Sequence, residues 1–248
     1  MPFESFMIRR KEGVFPMYIA ISNKQLKELL EEEKNFLHPE ERDYLNNLPQ
    51  GTRGHSFLLG RYTAKLAASA YTGVPATELL IKPGVFQQPV LQGSNVSNVQ
   101  LSIAHSGEWS IAIVFPESHP VAADVEIIKS GNDLSRLIPL TSGENKMLHA
   151  LPFGLDASMT LAWTIKEAMS KVIKTGLTAS LEIFTISSIE LRDNYLVCQF
   201  TNFAQYKAIA WIEHHAAWCI VLPRNSDPDI SKLHILRQKA LHAESQPH

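Results

Sequence analysis

Asp124 and Glu126 interrupt an apolar run, VAADVEII, with two carboxylates two residues apart. In a strand, residues i and i+2 leave the same face, so both acids converge on one point. They repel there unless a cation lies between them, and an all-oxygen pair favours a hard ion such as Mg²⁺ or Mn²⁺. The same spacing also suits an exposed strand edge with two solvated acids. A second candidate surface lies in the helical stretch 159–174, whose apolar stripe is Leu161, Ile165, Ala168, Met169 and Val172. At about 100° per residue, Glu167 and Lys171 fall on the opposite face, with Lys174 near them and Lys166 to one side. A surface Glu–Lys pair at i,i+4 accounts for that much. Trp163 projects from the same side, and a bare tryptophan is out of place on a solvated face. Trp, Glu and several Lys together suit an anionic ligand and its metal. His105 ends a strand before the turn Ser106-Gly107 and reads as structural or functional. Arg61 and Lys65 stand one helical turn apart, so they either grip a phosphate together or are simply solvated.

These residues need elements to position them. Residues 13–22 read as a strand, since aromatic and β-branched residues cluster there. Asn23 is a candidate cap for the helix KQLKELLEEEKNFL, and another helical stretch opens at 38–42. Pro49-Gln50-Gly51 reads as a break, followed by a helix over 56–71 that ends at Gly73, a plausible C′ glycine. Residues 82–98, rich in Pro, Gly, Asn and Ser, read as loop. Strands are expected at 99–105, 109–115 and 121–128. A short helix follows Ser142-Gly143-Glu144, and helix 159–174 is stopped at Gly176. Four more strands, 184–191, 195–200, 207–213 and 218–222, precede a polar tail from Pro223 that ends in a frayed helix. Aligning Thr72-Gly73 with Thr175-Gly176 lays helix 56–71 over helix 159–174, an echo that allows two similar α+β halves meeting near residue 120.

Composition sets limits. The chain has 248 residues, 45% hydrophobic and 19% charged, enough apolar material for a core and too much for wholesale disorder. Its net charge of −2 argues against binding nucleic acid by bulk charge. Cys198 and Cys219 form no framework and no CxxC pair, so a reduced, cytoplasmic protein is expected. Glu4, Arg9, Arg10, Lys11 and Glu12 break up the apolar residues of the first eighteen, which therefore lack a signal-peptide core. No apolar run is long enough to span a bilayer, so no membrane association is expected.

Together the segments resemble the 4′-phosphopantetheinyl transferases of the long, pseudo-dimeric Sfp type. Three stretches carry the resemblance: LSIAHSG (101–107), VAADVE (121–126) and WTIKEAMSK (163–171), the last similar to the family's W-x-x-K-E-A-x-x-K signature. Glu41-Arg42, Arg53, LLGR (58–61) and TSGE (141–144) add to it, so that it covers roughly residues 15–220. It implies an α+β fold of two similar halves, each a small, mainly antiparallel sheet packed with a long helix, with the active site in the cleft between them. Residues 1–120 would form the N-terminal, donor-side half, 121–222 the half with the metal carboxylates, and 223–248 a tail. The implied activity moves phosphopantetheine from coenzyme A to a serine of an apo acyl, peptidyl or aryl carrier protein, releasing 3′,5′-ADP, as in secondary metabolite biosynthesis. Mg²⁺, or Mn²⁺, would be held by Asp124, Glu126 and Glu167 with the coenzyme A pyrophosphate. Lys171, and with it Lys166, would stabilise charge on the departing phosphate, and Arg61, Lys65 and His105 would bind the nucleotide and its 3′-phosphate. Glu167 is the family-based proton acceptor, but a carboxylate on a cation is a weakened base, so its ligand role comes first. Two fused halves leave little need for a dimer, and a monomer is expected. The cleft and the loop 127–158 are where a carrier's acidic helices would dock.

The sequence departs from the family pattern on the donor side. Gln87-Gln88-Pro89 stands where the family commonly has G-K-P, Ala104 where a serine precedes the histidine, and Ala122 where a glycine precedes D-x-E. Losing one phosphate contact at Gln88 costs on the order of 1–3 kcal/mol of donor binding. Two other readings stand beside the transferase: the same scaffold and metal with another donor or acceptor, or a non-catalytic module that binds carrier proteins. Three converging acids argue against the last.

Overall fold

The computed structural model describes residues 3–48, 51–130 and 138–242. The Pro49-Gln50 part of the expected break and the last residues of the tail lie outside them. The chain is α+β, with antiparallel sheets, and divides into two compact units.

The first unit runs to His119 and takes up the chain again from Ser226. It opens with β1 (Phe3–Arg10) and β2 (Gly13–Ser22), then α1 (Leu26–Phe36), α2 (Pro39–Asn46) and α3 (Thr52–Thr72). A short hairpin of β3 (Leu80–Pro83) and β4 (Pro89–Gln92) follows, then β5 (Val99–Ser106) and β6 (Trp109–Pro116). The main sheet has the order β1-β2-β6-β5. Ala64, Ala67 and Ala68 of α3 are wholly buried against Ala20, Ala112 and Val114, and such small side chains let the helix lie close on the sheet. Gly73, at φ 73°, ends α3 in the left-handed region expected of a C′ glycine.

The second unit, Pro120–Asn225, holds β7 (Ala122–Ile127), α4 (Ser142–His149), α5 (Leu155–Val172), β8 (Ile186–Arg192), β9 (Tyr195–Phe200), β10 (Tyr206–Glu213) and β11 (Ala216–Pro223). Its sheet has the order β7-β11-β10-β9-β8. Leu161, Ile165, Ala168 and Met169 of α5 pack with Ala122, Ala217, Cys219 and Val221 of the sheet, so the expected apolar stripe is the helix's core face. Both cysteines are buried and unpaired, and burial pushes the Cys198 thiol up to about 12.

Three features differ from the sequence reading. The first strand went unrecognised although Phe6 and Ile8 are buried around an exposed Met7, because its charged residues masked the alternation. Residues 82–98 contain part of the β3–β4 hairpin. Its prolines, Pro83 opposite Pro89, sit at the turn end of the ladder, where a proline costs least. The segment from Pro223 divides: it completes β11, and then α6 (Ile230–His242) packs with β1 and β2 of the first unit. There the His119 imidazole, hydrogen-bonded to the Ser226 hydroxyl at 2.7 Å, ties the returning chain down.

Candidate active site

The strand β7 puts Ala122, Asp124 and Glu126 on the face that α5 covers. Their partners across the ladder are Val221, Cys219 and Ala217. Two of those three are small, which leaves room under the helix for carboxylates. Glu167 and Lys171 come down from α5 onto the same spot. Carboxylate oxygens of Asp124, Glu126 and Glu167 lie within 4.8 Å of one another. The Lys171 ammonium donates to Asp124 Oδ1 at 2.6 Å. Among the described residues, Asp124 Oδ2 is buried and has no hydrogen-bond partner. An orphaned carboxylate oxygen is costly in a protein interior, and a bound cation would satisfy it.

The electrostatics agree. Burial raises the Asp124 carboxyl above the usual range, against the pull of the Lys171 ammonium and the Val125 N–H. Burial first, then the neighbouring Asp124, pushes the Glu167 carboxyl up to about 7. Lys171 works against that rise, and Glu126 adds to it. One ammonium among three carboxylates leaves the cluster two charges negative at full ionisation. Hard oxygen donors with no sulfur or nitrogen fit Mg²⁺ or Mn²⁺. Trp163 is half-buried beside the core of this unit, and Lys174 stands exposed just past the helix end.

Lys166 goes elsewhere. It is wholly buried, with its ammonium 2.8 Å from Glu144 Oε1 and donating to the carbonyls of Pro139 and Leu181 at 3.2 and 3.3 Å. Glu144 is at the third position of α4 and closes a capping box with Thr141. Its Oε1 also accepts the Ile186 N–H at 3.0 Å. Burial alone would raise the Glu144 carboxyl; the Lys166 ammonium and the N–H groups of Ile186 and Thr141 outweigh it and hold it low.

Lys65 in the first unit repeats this arrangement. It too is wholly buried, 2.7 Å from Glu41 Oε2, with the carbonyls of Ala76 and Leu79 as further acceptors. Glu41, at the third position of α2, accepts the Ile81 N–H at 3.0 Å and caps back to the His38 N–H. Burial lowers the Lys65 ammonium, Glu41 opposes that, and Arg61 adds to it. Lys65 and Lys166, two of the three lysines expected to reach phosphate, are therefore committed inside the protein. Helical spacing cannot tell a buried lysine from a solvated one; the upstream capping glutamates, Glu41 and Glu144, were the available signal.

Arg61 pairs with Glu41 at 3.2 Å, donates to the Ile81 carbonyl, and lines a groove of about 850 Å³ in the first unit. Arg53, Lys82 and the exposed His105 line the same groove. Lys82 is already paired with Glu40 at 2.8 Å. Gln88 is turned into its own hairpin, where its side-chain oxygen accepts the Phe86 N–H at 2.8 Å. Of the loop 127–158 expected to meet a carrier protein, residues 131–137 lie outside the described residues, and much of the remainder forms α4 and the start of α5.

No protein-family model matches the chain, and no curated protein matches it. Among solved structures it is similar to a holo-(acyl-carrier-protein) synthase from Bacillus anthracis str. Ames in complex with CoA (3′,5′-ADP). The identity is 27% and the TM-score 0.37, over 44% of this chain and 96% of that one. Among the described residues, no helix is long and apolar enough to cross a membrane.

Proposed function

We propose that this chain is a 4′-phosphopantetheinyl transferase of the Sfp type, which moves phosphopantetheine from coenzyme A to a serine of an apo carrier protein. The observation that carries the reading is the convergence of Asp124, Glu126 and Glu167 within 4.8 Å. It falls on the residues that the W-x-x-K-E-A-x-x-K and D-x-E resemblances select. Those three carboxylates would hold Mg²⁺, which supplies charge neutralisation and Lewis-acid polarisation at a diphosphate. Lys171, the partly exposed cation of the cluster, compensates negative charge that builds on the departing phosphate side. Glu167 would serve as a ligand to the Mg²⁺. The burial of Asp124 weakens the screening of its charge by water. For the first unit, the resemblance selects Arg61 and His105 for the donor nucleotide, and both line the groove. Lys65 and Lys166 take no part in donor binding in this reading.

The test is direct. Incubated with an apo carrier protein, coenzyme A and Mg²⁺, the protein is expected to add a phosphopantetheine mass to the carrier, and Glu167→Ala to abolish it. Coenzyme A binding without transfer would overturn the reading in favour of a non-catalytic module. A second reading keeps the chemistry and changes the donor. It is favoured by Gln88, held in its own turn, and by Lys82 and Arg61, already paired with Glu40 and Glu41. Transfer from an alternative pantetheine donor at a lower KM than coenzyme A would support it.

A further inference from the structure

We propose that Glu144 and Lys166 are positioning residues for the carboxylate cluster: their buried ion pair sets the rotation of α5 about its axis and so aims Glu167 at Asp124. The proposal rests on the reading of that cluster as a cation site. Lys166 immediately precedes Glu167, and consecutive helical residues point about 100° apart. Anchoring one therefore fixes the direction of the other. The anchor is unusually well held. The Lys166 ammonium meets Glu144 and two carbonyls, from Pro139 and Leu181, and Glu144 is itself fixed by the Thr141 N–H at 2.8 Å, the Thr141 hydroxyl at 2.9 Å and the Ile186 N–H. Two stretches of chain, 139–144 and 181–186, thus converge on one helical position.

Small rotations matter here. A side-chain tip lies about 5–6 Å from a helix axis, so a 10° turn displaces it by about 1 Å. Functional groups need placement to about 0.5 Å. An apolar side chain at position 166 leaves the same core face buried but lets the helix settle by packing alone. Partners behind a ligand commonly tune metal affinity about 10–100-fold.

The first unit supplies the control. Glu41, Lys65 and the Ile81 N–H form the same arrangement, but Leu66 follows the lysine where Glu167 follows Lys166. The double variant Glu144→Gln/Lys166→Met removes both charges together, so that no buried ion is stranded. Its counterpart is Glu41→Gln/Lys65→Met, in which Arg61 loses its carboxylate but keeps the Ile81 carbonyl and its opening to the groove. Mn²⁺ affinity is measured by calorimetric titration of the full chain without coenzyme A, with thermal unfolding alongside. The expected result is Mn²⁺ binding weakened about tenfold or more in the first double variant and within about twofold of wild type in the second. Equal Mn²⁺ affinity in all three proteins, with only the unfolding temperatures changed, overturns the positioning role. Equal loss in both double variants overturns it as well, since the effect would then be general loosening. If the wild type binds no Mn²⁺, the cation-site reading itself fails and the proposal falls with it.

Discussion

Both units close on a buried glutamate at the third position of a short helix, a lysine from the long helix, and the N–H of a strand that follows a 3₁₀ turn. The surroundings differ. In the first unit Glu41 faces two cations, Arg61 and Lys65, and the long helix continues with Leu66 and Ala70. In the second, Glu144 faces Lys166 as its one cation among the described residues, and the positions one and five residues further on are Glu167 and Lys171. One unit has a surplus of cations at a groove; the other has a surplus of acids over Lys171. The repeated pair belongs to the architecture, and the candidate site sits on what was placed next to it.

That division predicts opposite signs for charge removal. On the proposed reading, Glu167→Gln is expected to lower transfer about 10²–10³-fold, by deleting a ligand of the cation that would hold the diphosphate. In the metal-free protein the same change is expected to raise the unfolding temperature. It relieves the repulsion with Asp124 and Glu126, and active sites commonly store destabilisation of this kind. An unchanged or lower unfolding temperature would mean that the acids are not strained. Activity is followed by the mass of the carrier, stability by scanning calorimetry.

Breaking the internal pairs comes next in size. Lys166→Met strands a buried glutamate, a change that typically costs about 3–5 kcal/mol, and Lys65→Met takes one of two cations from another. The costs should differ. Glu41 keeps Arg61 when Lys65 is removed, whereas among the described residues Glu144 keeps N–H and hydroxyl donors but no cation when Lys166 goes. Chemical denaturation is therefore expected to rank Lys166→Met as the more destabilised. The reverse order would make Arg61 a poor substitute and weaken the comparison between the units.

The sequence made the site more legible than the supports beneath it. The D-x-E run and the helix 159–174 could be read because periods of two and 3.6 residues leave a trace in residue order. Lys166 and Lys65 were read as ligand contacts because burial leaves no such trace in a lysine. The internal echo was noticed at the wrong register. Matching Thr72-Gly73 to Thr175-Gly176 lays Lys166 over Thr63, two residues short of Lys65, because Gly73 follows α3 directly whereas Gly176 lies four residues beyond Val172, the end of α5. Matching the two lysines instead superimposes the buried pairs. In β1 the alternation was present in Phe6 and Ile8 but was obscured by the arginines at its end.

The smallest expected effect separates the units by pH. Glu144 is held below the ordinary glutamate range, about 4.3. A carboxyl depressed in the folded state contributes stability that is present above its unfolded value and is lost as pH falls through the folded one. Lys65 is shifted the other way from a stabilised cation, since burial lowers it below the ordinary ammonium range, about 10.4. Between its folded value and that range the unfolded chain binds the extra proton, so this contribution makes stability rise with pH. The Glu144 contribution thus acts on the acid side and the Lys65 contribution on the alkaline side. In unfolding temperatures measured across both limbs, Glu144→Gln/Lys166→Met is expected to flatten the rise of the acid limb, and Glu41→Gln/Lys65→Met to steepen the fall of the alkaline limb, since it removes a contribution that rises with pH. An acid limb untouched by the first variant, or an alkaline limb untouched by the second, would mean that burial and pairing do not set these two charges apart, and the likeness of the two pairs would be one of shape alone.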